Sequence, residues 1–165
     1  MSLLTKARCR ASITAAVIAS AGTLTIAAPA NADATTVRFR NIASGKCLES
    51  FLQSDPQRPG YVYTEPCPPQ GVTWRPIPAT VQDPTVQDAV QLLDIEAHWC
   101  LESNGVDVYT RPCQEGNEMQ AWRFGPTGTI EHIAPTGCVT GDDDTSLFVR
   151  STACADSPSQ QWTRF

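Results

Sequence analysis

Apolar and polar residues alternate in short runs along most of the chain. Val37-Arg38-Phe39-Arg40-Asn41-Ile42, Gly60-Tyr61-Val62-Tyr63-Thr64 and Gly105-Val106-Asp107-Val108-Tyr109 keep a period of two, and Ser146-Leu147-Phe148-Val149-Arg150 is strand-like in composition. A period of two carried by β-branched and aromatic residues predicts strands with one buried face. Turn-forming clusters separate the runs: Ala43-Ser44-Gly45-Lys46, then residues 53–60, 114–117 and 141–145. A helical period of adequate length occurs only near the start of the chain. The pattern therefore predicts an all-β fold.

The runs recur in register. One residue after Cys47, Cys100 and Cys138 stand Leu48, Leu101 and Val139. Five residues before them stand Ile42, Ile95 and Ile133, and eight before them Phe39, Leu92 and Ile130. Ahead of Cys67, Cys113 and Cys154 come Val62, Val108 and Val149, then Thr64, Thr110 and Ser151. Trp74, Trp122 and Trp162 follow at short distances. Each anchor keeps one physical type in all three copies, which defines an internal repeat of roughly 40–50 residues. Pro76 to Gln91 is the longest irregular stretch. It holds a small tandem, Thr80-Val81-Gln82-Asp83-Pro84 then Thr85-Val86-Gln87-Asp88-Ala89, and reads as a linker between repeats 1 and 2. A unit this small cannot bury enough surface alone, so the three must share one core. The three isoleucines, the valines and the three tryptophans are expected to be buried in it.

The N-terminus changes the picture of charge and compartment. Lys6, Arg8 and Arg10 precede an uncharged apolar run, Ala11 to Ala28, and Ala30-Asn31-Ala32 has the small-x-small form of a cleavage site. Residues 1–32 thus read as a secretory signal peptide, and Cys9 leaves with it. Three of the 12 basic residues and none of the 17 acidic ones lie there, so residues 33–165 keep 9 against 17, a net of −8. That balance argues against nucleic acid and anionic membrane surfaces. No second apolar run exists, so no membrane span is expected. In an oxidising compartment the six remaining cysteines read as disulfides. The repeat selects the simplest pairing, within units: Cys47–Cys67, Cys100–Cys113 and Cys138–Cys154.

With Gln120-Ala121-Trp122 and Gln160-Gln161-Trp162 in register with the cysteine pairs, the chain resembles the ricin B-type β-trefoil lectins. The likeness runs over essentially all of residues 35–165, through Cys47-Leu48-Glu49, Cys100-Leu101-Glu102 and Cys138-Val139-Thr140. Repeat 1 has Val72-Thr73-Trp74 where the others have Gln-x-Trp. The resemblance implies a β-trefoil of twelve strands, three pseudo-repeats with intra-repeat disulfides, and a non-enzymatic carbohydrate-binding role. The expected organisation is a signal peptide over 1–32 and one domain over 33–165, with repeats at about 35–79, 80–125 and 126–165.

In that family an Asp two residues after the first cysteine bonds sugar hydroxyls. Here the position holds Glu49, Glu102 and Thr140. The aromatic that stacks on the sugar, two residues before the second cysteine, is replaced by Glu65, Arg111 and Thr152. Four residues before that cysteine stand Tyr63, Tyr109 and Arg150. Repeat 2 comes nearest to a site, with Glu102, Asn104, Tyr109, Arg111 and Gln120; repeat 1 follows with Glu49 and Tyr63. A sugar site needs an apolar face for the ring and acceptors for its hydroxyls.

Other chemistry finds little support. Asp142-Asp143-Asp144 lacks the spaced oxygens of a calcium loop and reads as a turn. His98 and His132 stand in no metal-ligand spacing, no Gly-x-Ser-x-Gly elbow occurs, and no cysteine is left over as a nucleophile. No cofactor, metal or catalysis is expected. The expected function is a secreted lectin-like module that binds a glycan or glycoprotein. The alternative is a sugar-site-degraded β-trefoil that binds a separate protein chain or serves as a toxin-delivery subunit; a protease inhibitor is weaker still.

Overall fold

The computed structural model describes residues 35–51, 55, 57–141 and 148–165. The leader at 1–32, Asp142-Asp143-Asp144, and Ser146-Leu147 of the fourth strand-like run lie outside the described residues. Each repeat supplies four strands. Repeat 1 has β1 (Phe39–Asn41), β2 (Lys46–Ser50), β3 (Gly60–Pro66) and β4 (Trp74–Pro78). Repeat 2 has β5 (Val90–Asp94), β6 (Trp99–Ser103), β7 (Val108–Pro112) and β8 (Trp122–Phe124). Repeat 3 has β9 (Ile130–His132), β10 (Gly137–Thr140), β11 (Arg150–Thr152) and β12 (Trp162–Arg164). The strands form one sheet in the order β11-β10-β9-β8-β5-β6-β7-β3-β2-β1-β12, with β4 on β5. All-β structure with threefold repetition is a β-trefoil.

The disulfides pair within repeats, Cys47–Cys67, Cys100–Cys113 and Cys138–Cys154. The tryptophans close each repeat in the same way. Trp74, Trp122 and Trp162 are buried, and each indole N–H donates to the carbonyl of Leu48, Leu101 or Val139 in its own repeat. Phe39, Leu92, Ile130 and the three valines complete the core.

The isoleucines depart from expectation. Ile42 is 49% exposed, and Ile95 and Ile133 are only partly buried. The reason is position: each isoleucine is the first residue of the turn that follows β1, β5 or β9, just beyond the last strand residue. The inward residue is the one before each isoleucine: Asn41, Asp94 or His132, all buried. Asn41 Oδ1 accepts from the N–H groups of Ala43 and Ser44, and Asp94 Oδ1 from those of Glu96 and Ala97. His132 lies between the carbonyls of Met119 and Pro135, at 2.9 and 2.7 Å. A polar side chain therefore organises the turn ahead of each first cysteine.

The expected linker is also different. Pro76–Pro78 belong to β4 and Val90–Gln91 to β5, and the two strands pair from Trp74↔Asp94 to Pro78↔Val90. The segment between them is a hairpin loop closed by Ala79 N–H to Ala89 carbonyl. Two prolines hide β4 in the sequence. They are tolerated because β4 has a single ladder partner and proline is confined to such edges.

Candidate functional site

Alternation along β7 sorts its side chains. Val108 and Thr110 are buried, so Asp107, Tyr109 and Arg111 face outward. Across the ladder from β7 lies β3, with Tyr61 directly opposite Tyr109. Two isolated bridges, Tyr63↔Phe148 and Asp107↔Arg150, bring the residues leading into β11 against the same pair. The third strands of all three repeats thus meet.

A groove of about 430 Å³ opens there. Pro59, Tyr61 and Phe148 supply apolar surface; Asn104, Asp107, Tyr109, Arg111 and Arg150 supply polar groups. The Tyr61 and Phe148 rings lie 5.4 Å apart and tilted, and both are more than half exposed. Arg150 pairs with Asp107 at 3.0 Å. Arg111 donates from Nη1 to the Gln57 carbonyl at 3.3 Å, with its guanidinium 6.0 Å from the Tyr109 ring centre.

Of the expected site residues, Asn104, Tyr109 and Arg111 line this groove. Asn104 also shapes its loop: Oδ1 accepts from the N–H groups of Val106 and Asp107. Glu102 lies opposite Tyr109 in the β6–β7 ladder, but it is buried. Burial and then the Glu102 carboxylate, through its charge and its hydrogen bond with the phenol, push Tyr109 up to about 12. The phenol is a neutral donor at pH 7, and its ring is the part left for a ligand.

Gln120 is fully buried and faces inward contacts only. Its Nε2 donates to Glu102 at 2.8 Å and to the Pro112 carbonyl at 3.0 Å, while Oε1 accepts from the Gln114 N–H and Gln91 Nε2. Glu49 is the corresponding buried carboxylate of repeat 1. It accepts from Arg38 at 3.2 Å and from the Val72 N–H at 2.7 Å. Burial is the larger influence and raises its pKa above the ordinary carboxylate value, against the lowering by those donors. Tyr63 pairs across from Glu49 and is partly buried, outside the groove lining. The structure thus puts Asn104, Tyr109 and Arg111 on one groove with Glu102 buried behind Tyr109, and leaves Gln120, Glu49 and Tyr63 out of its lining.

Tyr61, Phe148, Asp107 and Arg150 escaped the sequence reading. The signal was present in part, because Tyr61 takes the outward position of an alternating run. That reading lacked the pairing of strands from different repeats. Among the described residues, no group of three His, Cys, Asp or Glu side chains is placed to hold a metal, and no helix is long and apolar enough to cross a membrane.

The family model of the ricin-type beta-trefoil lectin domain matches residues 35–162. No curated protein matches the chain in sequence. Several solved structures share the fold. A designed 3-fold symmetric protein, ThreeFoil, is similar with a TM-score of 0.64 at 16% identity, over 78% of this chain and 96% of that one. The Haemophilus ducreyi cytolethal distending toxin gives 0.59 at 17% identity, over 79% and 83%. A salivary protein from Culex quiquefasciatus, of the Cysteine and Tryptophan-Rich family, gives 0.62 at 14% identity, over 81% and 95%. At these identities the likeness concerns the fold alone.

Proposed function

We propose, from the premise that the chain belongs to the ricin-type β-trefoil lectin domain family, that it is a secreted, non-catalytic carbohydrate-binding domain whose glycan lies in the groove beside repeat 2. The observation that carries this reading is Tyr61 beside Tyr109, with Asn104 and Arg111 on the same groove. Ring faces give a sugar its apolar contact, and the amide and guanidinium give its hydroxyls partners. Glu102 acts from behind, fixing the Tyr109 phenol, rather than as the first acceptor of sugar hydroxyls. Repeat 1 is the weaker site, because Glu49 is engaged by Arg38 and Tyr63 lies outside the groove lining. The basic, apolar leader and three disulfides support secretion.

A single open site of this kind binds a monosaccharide near millimolar strength, about −4 kcal/mol. Titration of a glycan hit with the parent and with Tyr61→Ala tests the reading. Tyr61 is 57% exposed, so its loss leaves the melting point nearly unchanged. A drop of about tenfold in affinity supports the site, and undiminished binding refutes it. A second reading has its own observation. Glu49 and Glu102 are both spent on internal contacts, which suits a domain that docks a protein, as in a toxin-delivery subunit. Failure to bind any glycan on a broad array, with capture of a partner chain through Tyr61 and Phe148, selects that reading.

A further inference from the structure

Within the carbohydrate-binding reading, on which this step rests, we infer that the groove selects an acidic glycan and that Arg111 reads its anionic group. Arg111 stands where a stacking aromatic serves in the resemblance drawn above, so that position offers a charge in place of a ring face. Its guanidinium is oriented from two sides. Nη1 is anchored on the Gln57 carbonyl at 3.3 Å, and Cζ lies 6.0 Å from the centre of the Tyr109 ring. No carboxylate is paired with it among the ion pairs of the described residues. An anchored guanidinium with donors to spare is suited to hold a carboxylate or sulfate through two parallel hydrogen bonds, a geometry a lysine cannot reproduce.

The rest of the groove agrees. Arg150 also lines it and pairs with Asp107, so the lining carries two guanidiniums against one carboxylate. Tyr61 and Phe148 offer the apolar floor a sugar ring needs beside the charge. The net of −8 over residues 33–165 repels an acidic ligand at distance. That repulsion is screened beyond about 8 Å at physiological ionic strength, so a short-range fork decides the outcome. The shared chemistry is an anionic sugar; carboxylated and sulfated glycans are its two sources.

The test uses the oxidised protein on an array of matched glycans that differ only in the presence of a carboxylate or a sulfate. The best acidic and neutral members are then titrated with the parent, Arg111→Met and Arg111→Lys. Acidic members should bind at least tenfold more tightly than their neutral partners, and the carboxylate and sulfate arms distinguish the two sources. Arg111→Met should weaken the acidic members at least tenfold more than their neutral partners, and so remove the preference. Arg111→Lys should recover only a small part, because the charge returns without the fork. Equal binding of acidic and neutral members, or a preference that survives Arg111→Met, overturns the inference and leaves the lectin reading standing. Absence of binding to every glycan, with an unchanged melting point, overturns both.

Discussion

The Gln120 side-chain amide donates to the Glu102 carboxylate at 2.8 Å, with both groups buried. Repeat 3 keeps the same link in a neutral form, Gln160 Nε2 to Thr140 Oγ1 at 3.2 Å. Repeat 1 has no such glutamine, and Arg38 reaches Glu49 instead. One structural need, a donor for the residue two beyond the first cysteine, is thus met in three chemical ways. Gln120→Ala should therefore destabilise the fold by on the order of 3 kcal/mol, since it strips partners from a buried carboxylate and from the Gln114 N–H. Glu102→Gln should cost less, because an amide still accepts. Chemical denaturation of both variants checks the order.

Arg38 and Glu49 make an ion pair with side chains 17% and 4% exposed. Removing one charge leaves the other buried and uncompensated. Arg38→Met alone should cost about 3–5 kcal/mol. Adding Glu49→Gln should recover most of that loss, since it removes the stranded charge. If the two single effects merely add, the pair is not coupled as the geometry requires.

Burial holds the His132 imidazole below its ordinary pKa of 6.5, although the facing carbonyls of Met119 and Pro135 act the other way. Its depressed folded pKa favours the neutral ring. The unfolded chain then binds the extra proton first as pH falls. The stability this residue contributes is complete above the unfolded value near 6.5, and it is lost as pH falls from there through the lower folded value. Melting points measured across that window should fall for the parent. His132→Asn, which installs the residue found at the same place in repeat 1, should remove that part of the slope.

Phe39 in β1 and Ile42 in the turn after it differ in burial. Phe39 is 1% exposed and Ile42 49%. Phe39→Ala should cost about 3–5 kcal/mol, the penalty of a core cavity. Ile42→Ala should stay below about 1 kcal/mol, as for a surface change. Comparable losses in thermal unfolding would refute that difference.

Much of this molecule was legible in its sequence because the signals were local and repeated. Cysteines at matching places in three units selected the disulfides, a valine strand before each second cysteine with a tryptophan after it marked the core, and the resemblance those motifs carry implied the trefoil. The same local logic failed at Ile42, Ile95 and Ile133, where recurrence marked a repeated place but each strand ends one residue earlier and leaves the isoleucine in the turn. It failed at β4, where Pro76 and Pro78 masked a strand that only an edge position permits. The groove was beyond it altogether. Tyr61, Tyr109 and Phe148 belong to three different repeats, and no spacing along the chain reports which strands of separate units become neighbours. That choice belongs to the packing of the whole sheet, which sets β3 against β7 and brings Phe148 onto Tyr63. Glu102 shows the same division: the sequence placed a carboxylate beside Tyr109, and packing decided that Gln120 would hold it. Local pattern is carried by neighbours in the chain, whereas a site is made where buried faces force distant strands together.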